Sequence, residues 1–291
     1  MSPQPSSAQP TFLPEQAEAQ ASEAVRAIYA QIRRAAGVPM VALIFRHLAT
    51  LPGGMEWAWS VMGPPLAQGQ LQQRAWAMAD GLDLAPALPV LPQTLRYLGI
   101  DETALGEMAR LSLAYARANP VNLLALRLIA LRLGTEGHAP ATPSINVPGS
   151  TDWQPPEPLG PLLPMVDLHS APVELMDVLQ GLSQRGQVVP DAAFVPSYYR
   201  QLASRPPLLA LASLIVPPSF ARIDAAAEQL RLQASSHAAE LARQWPAPPP
   251  CPLALRQPML HAVEVFTERI PEMIAVVALL QKALNLPRSG V

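Results

Sequence analysis

An all-α protein built from two similar helical halves is what this sequence predicts, and three observations carry that expectation. The stretches between prolines are rich in Ala, Leu, Arg and Gln, which favour helix. β-branched and aromatic residues alternate over no long run, so strand signals are absent. Many of the 35 prolines stand where a helix should begin, a position at which Pro forfeits no hydrogen bond.

Taken in order, the pattern places helices at 15–36, which stops before Gly37, and at 39–50, which opens on Pro39. Shorter pieces follow at 54–62 and 66–81, and a Pro-rich bend covers 85–92. Helices then run over 92–98, stopped by Gly99, over 102–118 with Asp101 as N-cap, and over 120–133, bounded by Pro120 and Gly134. Residues 134–170 hold eight prolines and read as an irregular linker. Helices resume at 171–186, 191–204, 206–216 and 218–244. A second bend, 245–252, precedes helices at 255–269 and 271–286.

The two halves say nearly the same thing. "EAVRAIYAQIRR" (23–34) matches "ELMDVLQGLSQR" (174–185), and "LIFRHLATLP" (43–52) matches "SYYRQLASRP" (197–206). "NPVNLLALRLIALRL" (119–133) matches "IPEMIAVVALLQKAL" (270–284). The expected organisation is a disordered tail over 1–14, a first helical repeat over 15–134, a Pro-rich linker over 135–170 and a second repeat over 171–287. Together they form one compact domain with pseudo-two-fold symmetry. Each repeat holds roughly 130 residues, a common domain size. The cleft between such halves is a natural ligand site.

Composition excludes several function classes. Half of the 291 residues are hydrophobic, 14% are charged and the net charge is −2, so nothing here binds nucleic acid by charge. Lys282 is the one lysine, and the arginine excess reads as compositional bias rather than a phosphate surface. Cys251 stands alone, which rules out a disulfide or a cysteine-rich zinc site within the chain. The first residues carry no signal-peptide pattern, and the longest apolar run, 273–280, is too short to span a bilayer. The expectation is a cytoplasmic protein with no membrane and no nucleic-acid partner; a homodimer stays open.

Few residues suggest chemistry. His237/Glu240 and His261/Glu264 have the i, i+3 spacing of a metal pair but lack further inward carboxylates, so no metal is expected. Arg46 and Arg200 are equivalent arginines in apolar helices, able to hold a carboxylate or, more readily, to make a structural ion pair or helix-end contact. Asn119 either caps the helix that begins at Pro120 or points into the cleft, and Asn122 lies one turn on. Ser197, Tyr198 and Tyr199 put three hydroxyls on one turn. Adjacent residues diverge by about 100°, so at most one tyrosine faces the cleft, while the other packs or meets solvent.

With these stretches in place, residues 15–286 resemble the all-α 2-haloacid dehalogenases that act on both D- and L-substrates. "VPMVALIFRHLATLPG" (38–53), "YARANPVNLLAL" (115–126), "PLGPLLPMVD" (158–167) and "SYYRQLASRP" carry the resemblance. It implies cofactor-free hydrolysis of a small carboxylic acid. An aspartate activates water, which attacks the halogen-bearing carbon directly and expels halide with inversion. By the same resemblance, Asn119 would hold the water and Ser197 would contact the substrate carboxylate. Met40 and Leu43 stand where pocket aromatics are usual, with Asn122 as a further lining residue. Tyr198 occupies the position of the catalytic aspartate. Asp191 lies seven residues upstream, about 10 Å away along a helix, too far to substitute. A phenol, with a pKa near 10, is a poor base at neutral pH. The expected function is therefore a dehalogenase-like hydrolase with activity altered or lost; the alternative is a protein that binds or senses a small carboxylic acid in the same cleft without turning it over.

Overall fold

Gly37 marks how this chain ends its first full helix and begins to build its core. The helix α1, Glu23–Ala36, starts at Ser22, whose hydroxyl accepts from the Val25 amide at 3.2 Å. It stops at Gly37, whose φ of 62° is left-handed and disfavours a side chain. Val25, Ile28, Tyr29, Ile32 and Ala36 recur at helical spacing and form its buried stripe. The structure, a computed structural model, describes residues 14–87, 90–134, 153–183 and 195–288. The expected tail over 1–13, most of the linker's first half, residues 184–194 with Asp191, and the chain's last three residues lie outside the described residues.

After α1 come α2 (Leu43–Leu48), α3 (Gly54–Ala67), α4 (Gln70–Asp80), α5 (Pro92–Tyr97) and α6 (Glu102–Gly134). The second half runs α7 (Val173–Ser183), α8 (Ser197–Leu202), α9 (Pro206–Ile215), α10 (Phe220–Gln244) and α11 (Leu253–Ala283). No strand occurs among the described residues, and the fold is all-α as expected. The long helices α6 and α11 pack against each other at the centre, and α4 and α10 close around them. Val121, Leu124, Leu128, Val263, Ile274 and Val277 are among the buried residues of this core. The apolar stretch Pro206–Gln244 is long enough to cross a bilayer by length and hydropathy. It is, however, two helices divided by a turn at Pro217–Ser219, and α10 packs on α6 and α11.

Several helix boundaries differ from the expected ones because prolines at expected starts or breaks prove interior to a helix. Helix α3 continues through Pro64 and Pro65, α6 runs unbroken through Pro120, and α11 through Pro258 and Pro271. Asn119 therefore caps nothing. An interior proline removes one helical hydrogen bond and crowds the preceding turn. At Pro120 and Pro271 a neighbouring helix supplies a donor to that turn. The Trp76 indole on α4 donates to the Arg117 carbonyl at 2.9 Å, three residues before Pro120. Arg231 on α10 donates to the Glu268 carbonyl at 3.0 Å, three residues before Pro271. Trp76→Phe keeps most of the buried ring and removes the donor. It is expected to cost about 1–2 kcal/mol, seen as a lower urea midpoint at unchanged slope. An unchanged midpoint would mean that the carbonyl is satisfied without the indole.

The described part of the expected linker is irregular, but it is packed as a strap across both halves. Trp153 lies against Gly69, where a Cβ would come within 2.3 Å of the indole. The Leu159 amide donates to the Gly37 carbonyl at 3.0 Å, and Arg117 donates to Glu157 O at 2.9 Å. Further along, the Val166 amide donates to the Arg200 carbonyl at 3.1 Å. The strap thus runs from the end of α1 to α8.

Candidate functional site

Helix α8 begins directly after Pro196 and is only two turns long, so its orientation is set by what its buried face meets. Tyr198 and Tyr199 are both buried, at 0% and 1% exposure. The hydroxyls of Tyr198 and Ser112 of α6 are hydrogen-bonded at 2.9 Å. The ring of Tyr115, one turn further along α6, meets Tyr198 edge-on with centroids 5.1 Å apart. The Tyr115 hydroxyl donates to Gln201 Oε1 at 2.7 Å, and Gln201 Nε2 donates to the Leu163 carbonyl of the strap at 2.7 Å. The Ser197 hydroxyl lies near the Tyr115 phenol and favours its ionised form.

The result is a buried polar network of phenols and an amide, with no carboxylate in it. Burial pushes the Tyr198 phenol far above its ordinary range, offset only in part by the Ser112 bond. Burial does the same to Tyr115, against the opposing effects of Ser197, Arg46 and Arg200. Both stay protonated at neutral pH. They can donate hydrogen bonds and exclude water, but they cannot take a proton from it.

Asn119 is partly buried on the same α6 stripe as Ser112 and Tyr115. It stands one turn, roughly 6 Å along the axis, beyond Tyr115. Ser112 and Tyr115, on that stripe, are the residues of α6 that meet Tyr198. Met40 and Asn122 belong to the adjoining face of α6. They line a small apolar depression with Phe45, Met62, Ala118 and Val121, about 20 Å³ in volume, enough for roughly one water. Leu43, at the start of α2, is partly buried against the main core.

The remaining candidates are engaged in structural contacts. Arg46 pairs with Glu15 at 3.0 Å, and Arg200 Nε donates to the Val166 carbonyl at 3.2 Å. Glu240 Oε2 accepts from Arg74 at 2.6 Å, and that guanidinium holds its carboxyl below the usual range. His237 stands 3.7 Å from the same carboxylate, while His261 and Glu264 are exposed. Ser112, Tyr115 and Gln201 had not been singled out by sequence reasoning. The spacing Ser112, Tyr115, Asn119 was their signal: a polar stripe at helical period inside an otherwise apolar helix.

No family model matches the chain. A curated relative from Alcaligenes xylosoxydans xylosoxydans, a configuration-inverting 2-haloacid dehalogenase, is 28% identical over 173 residues. That match covers 59% of this chain and 58% of the relative, less than two thirds of the relative's length. Among solved structures, a D-2-haloacid dehalogenase mutant superposes with a TM-score of 0.71 at 17% identity, covering 94% of this chain and 96% of that one. A mutant D-2-haloacid dehalogenase in complex with D-2-CPA gives 0.68 at 18% identity, over 94% and 98%. A D-2-haloacid dehalogenase with L-LA gives 0.69 at 18% identity, over 94% and 96%. The chain is a sequence relative of a configuration-inverting 2-haloacid dehalogenase and shares the fold of the D-2-haloacid dehalogenases.

Proposed function

We propose that this protein is a 2-haloacid dehalogenase-like hydrolase of small 2-substituted carboxylic acids, in which direct attack by water is weakened or lost at the α6–α8 face. The relatives supply the reaction class. In that reaction, water oxygen bonds to C2 as the carbon–halogen bond breaks, halide leaves with inversion, and a base takes the proton. Asn119 would position the water, Ser197 would contact the carboxylate and Tyr198 would line the site. One observation supports the second half of the proposal: Tyr198, which the resemblance puts at the base position, is fully buried and hydrogen-bonded to Ser112. A protonated phenol leaves the attacking water without a proton acceptor there, and general-base help is typically worth about 10²–10⁴-fold.

The same burial favours a second reading, a cytoplasmic protein that binds a small carboxylic acid without converting it. The two readings separate in one pair of measurements. Thermal stabilisation by 2-chloropropionate, following ligand linkage, is expected in both. Slow but enzyme-dependent halide release belongs to the first reading and its absence to the second. Neither stabilisation nor release would remove the small-acid assignment altogether.

A further inference from the structure

Outside the α6–α8 network, on the other side of the strap, lies a hollow of about 240 Å³. Glu107 and Arg110 of α6 form one wall, Pro161, Leu162 and Pro164 of the strap form another, and Arg205 after α8 closes the end. Its walls are fixed from behind. Arg205 is held by Glu107 through two bonds, Nε to Oε2 and Nη2 to Oε1, each 2.7 Å. The strap is held by Gln201 on the Leu163 carbonyl, and the Ser204 hydroxyl is turned to the Gln201 carbonyl at 2.7 Å.

The lining holds one carboxylate and two guanidinium groups, while Asp101, outside it, acts on both Glu107 and Arg205. Glu107 is engaged through both oxygens by Arg205, so Arg110 is the lining's cation that no carboxylate oxygen among the described residues contacts. Its contact to the strap, with the Pro161 carbonyl at 3.5 Å, is long. Asp101 stands at the start of α6, where its carboxylate accepts from the Ala104 amide, outside the lining. A planar guanidinium beside prolines and a leucine suits a ligand with a carboxylate at one end and an apolar group at the other.

We infer that this hollow is a binding site for a small monocarboxylate, with its carboxylate on Arg110 and its apolar substituent against Pro161, Leu162 and Pro164. The inference rests on the small-acid reading above and moves the first contact from the plugged α8 turn to the strap's outer face. Ligand held there touches α6, the strap and the end of α8 at once, so it clamps the segment that Gln201 ties to Tyr115.

The test is calorimetry of the full chain with 2-chloropropionate and, as an uncharged control, 2-chloropropionamide. The natural protein should bind the acid and not the amide. Arg110→Gln, a change on an exposed side chain, should weaken the acid by about tenfold or more, the loss of roughly one charge-assisted contact. His261→Ala, an exposed change on α11 outside the lining, should leave affinity within about twofold. Loss with Ser197→Ala but not with Arg110→Gln would overturn the outer site and keep the small-acid reading. Equal binding of acid and amide would overturn the role of Arg110, and no binding of either would overturn both.

Discussion

Tyr198→Asp is expected to raise halide release from 2-chloropropionate by at least about tenfold over the natural protein, toward the lower end of what a general base contributes. The expectation rests on the proposed register, in which Ser197 precedes the base position and "LASRP" follows it. The exchange removes a ring that fills the space between α8 and α6, where Tyr198 touches Ser112 and Tyr115. Water can then enter beside a carboxylate, against the α6 stripe that carries Ser112, Tyr115 and Asn119. Restoration stays partial because Met40 and Asn122 line a different, nearly filled depression, leaving the halide end differently shaped. Burial also raises a carboxyl pKa, so the new activity should climb as pH rises through the neutral range. Stability should fall by several kcal/mol, the usual cost of emptying a buried aromatic site, with a further cost for the charge. Tyr198→Asn is the control: it opens the same space without a base and should gain little. Equal gain in both variants would assign the effect to space alone. A folded aspartate variant with no gain would mean that the whole pocket has diverged. Strong release by the natural protein would mean that another group already accepts the proton.

The gap between sequence and structure has a physical pattern. The all-α class was legible because helix formers and the absence of alternation are local signals. Interior prolines were not legible, since a proline at a helix start and one inside a helix look alike in one dimension. What distinguishes Pro120 is a donor on another helix, Trp76, 44 positions earlier in the chain. The strap was hidden for a related reason. Eight prolines in 134–170 suggest a loose connection, yet its order comes from backbone pairing with Gly37 and Arg200, which composition does not encode. At the candidate site, the resemblance puts Tyr198 where an aspartate is expected. Its burial could not be read from the sequence, because the Ser112 partner lies 86 residues away. The helical angle between Tyr198 and Tyr199 allows at most one to face a cleft, and both are enclosed.

The enclosed phenols make alkaline pH the condition under which this fold should fail. Below about pH 10 tyrosines are protonated in both folded and unfolded chains, so they add no pH dependence. Above it the unfolded chain releases their protons, while the folded chain keeps them. Burial pushes Tyr29 up to about 12, the nearby Arg46 opposing only in part, and carries Tyr198 and Tyr115 higher. The unfolded state then binds fewer protons than the native state, so stability falls as pH rises. Each phenol held neutral contributes a slope of about 1.4 kcal/mol per pH unit. Any two of these phenols held neutral give about 3 kcal/mol per unit. Two units of that slope approach the whole stability of an ordinary domain, about 5–15 kcal/mol. With one lysine in the chain, phenols dominate the groups that ionise in this window. Urea midpoints should therefore be flat from pH 8 to 9.5 and drop steeply toward pH 12. Tyr198→Phe isolates one share of the effect. It loses the Ser112 bond and should be about 1 kcal/mol less stable at pH 8. That deficit should shrink by about 1.4 kcal/mol per unit above pH 10 and reverse before pH 12. A deficit that stays constant to pH 12 would show that Tyr198 ionises as readily in the folded chain as in the unfolded one, and is not sealed between α6 and α8.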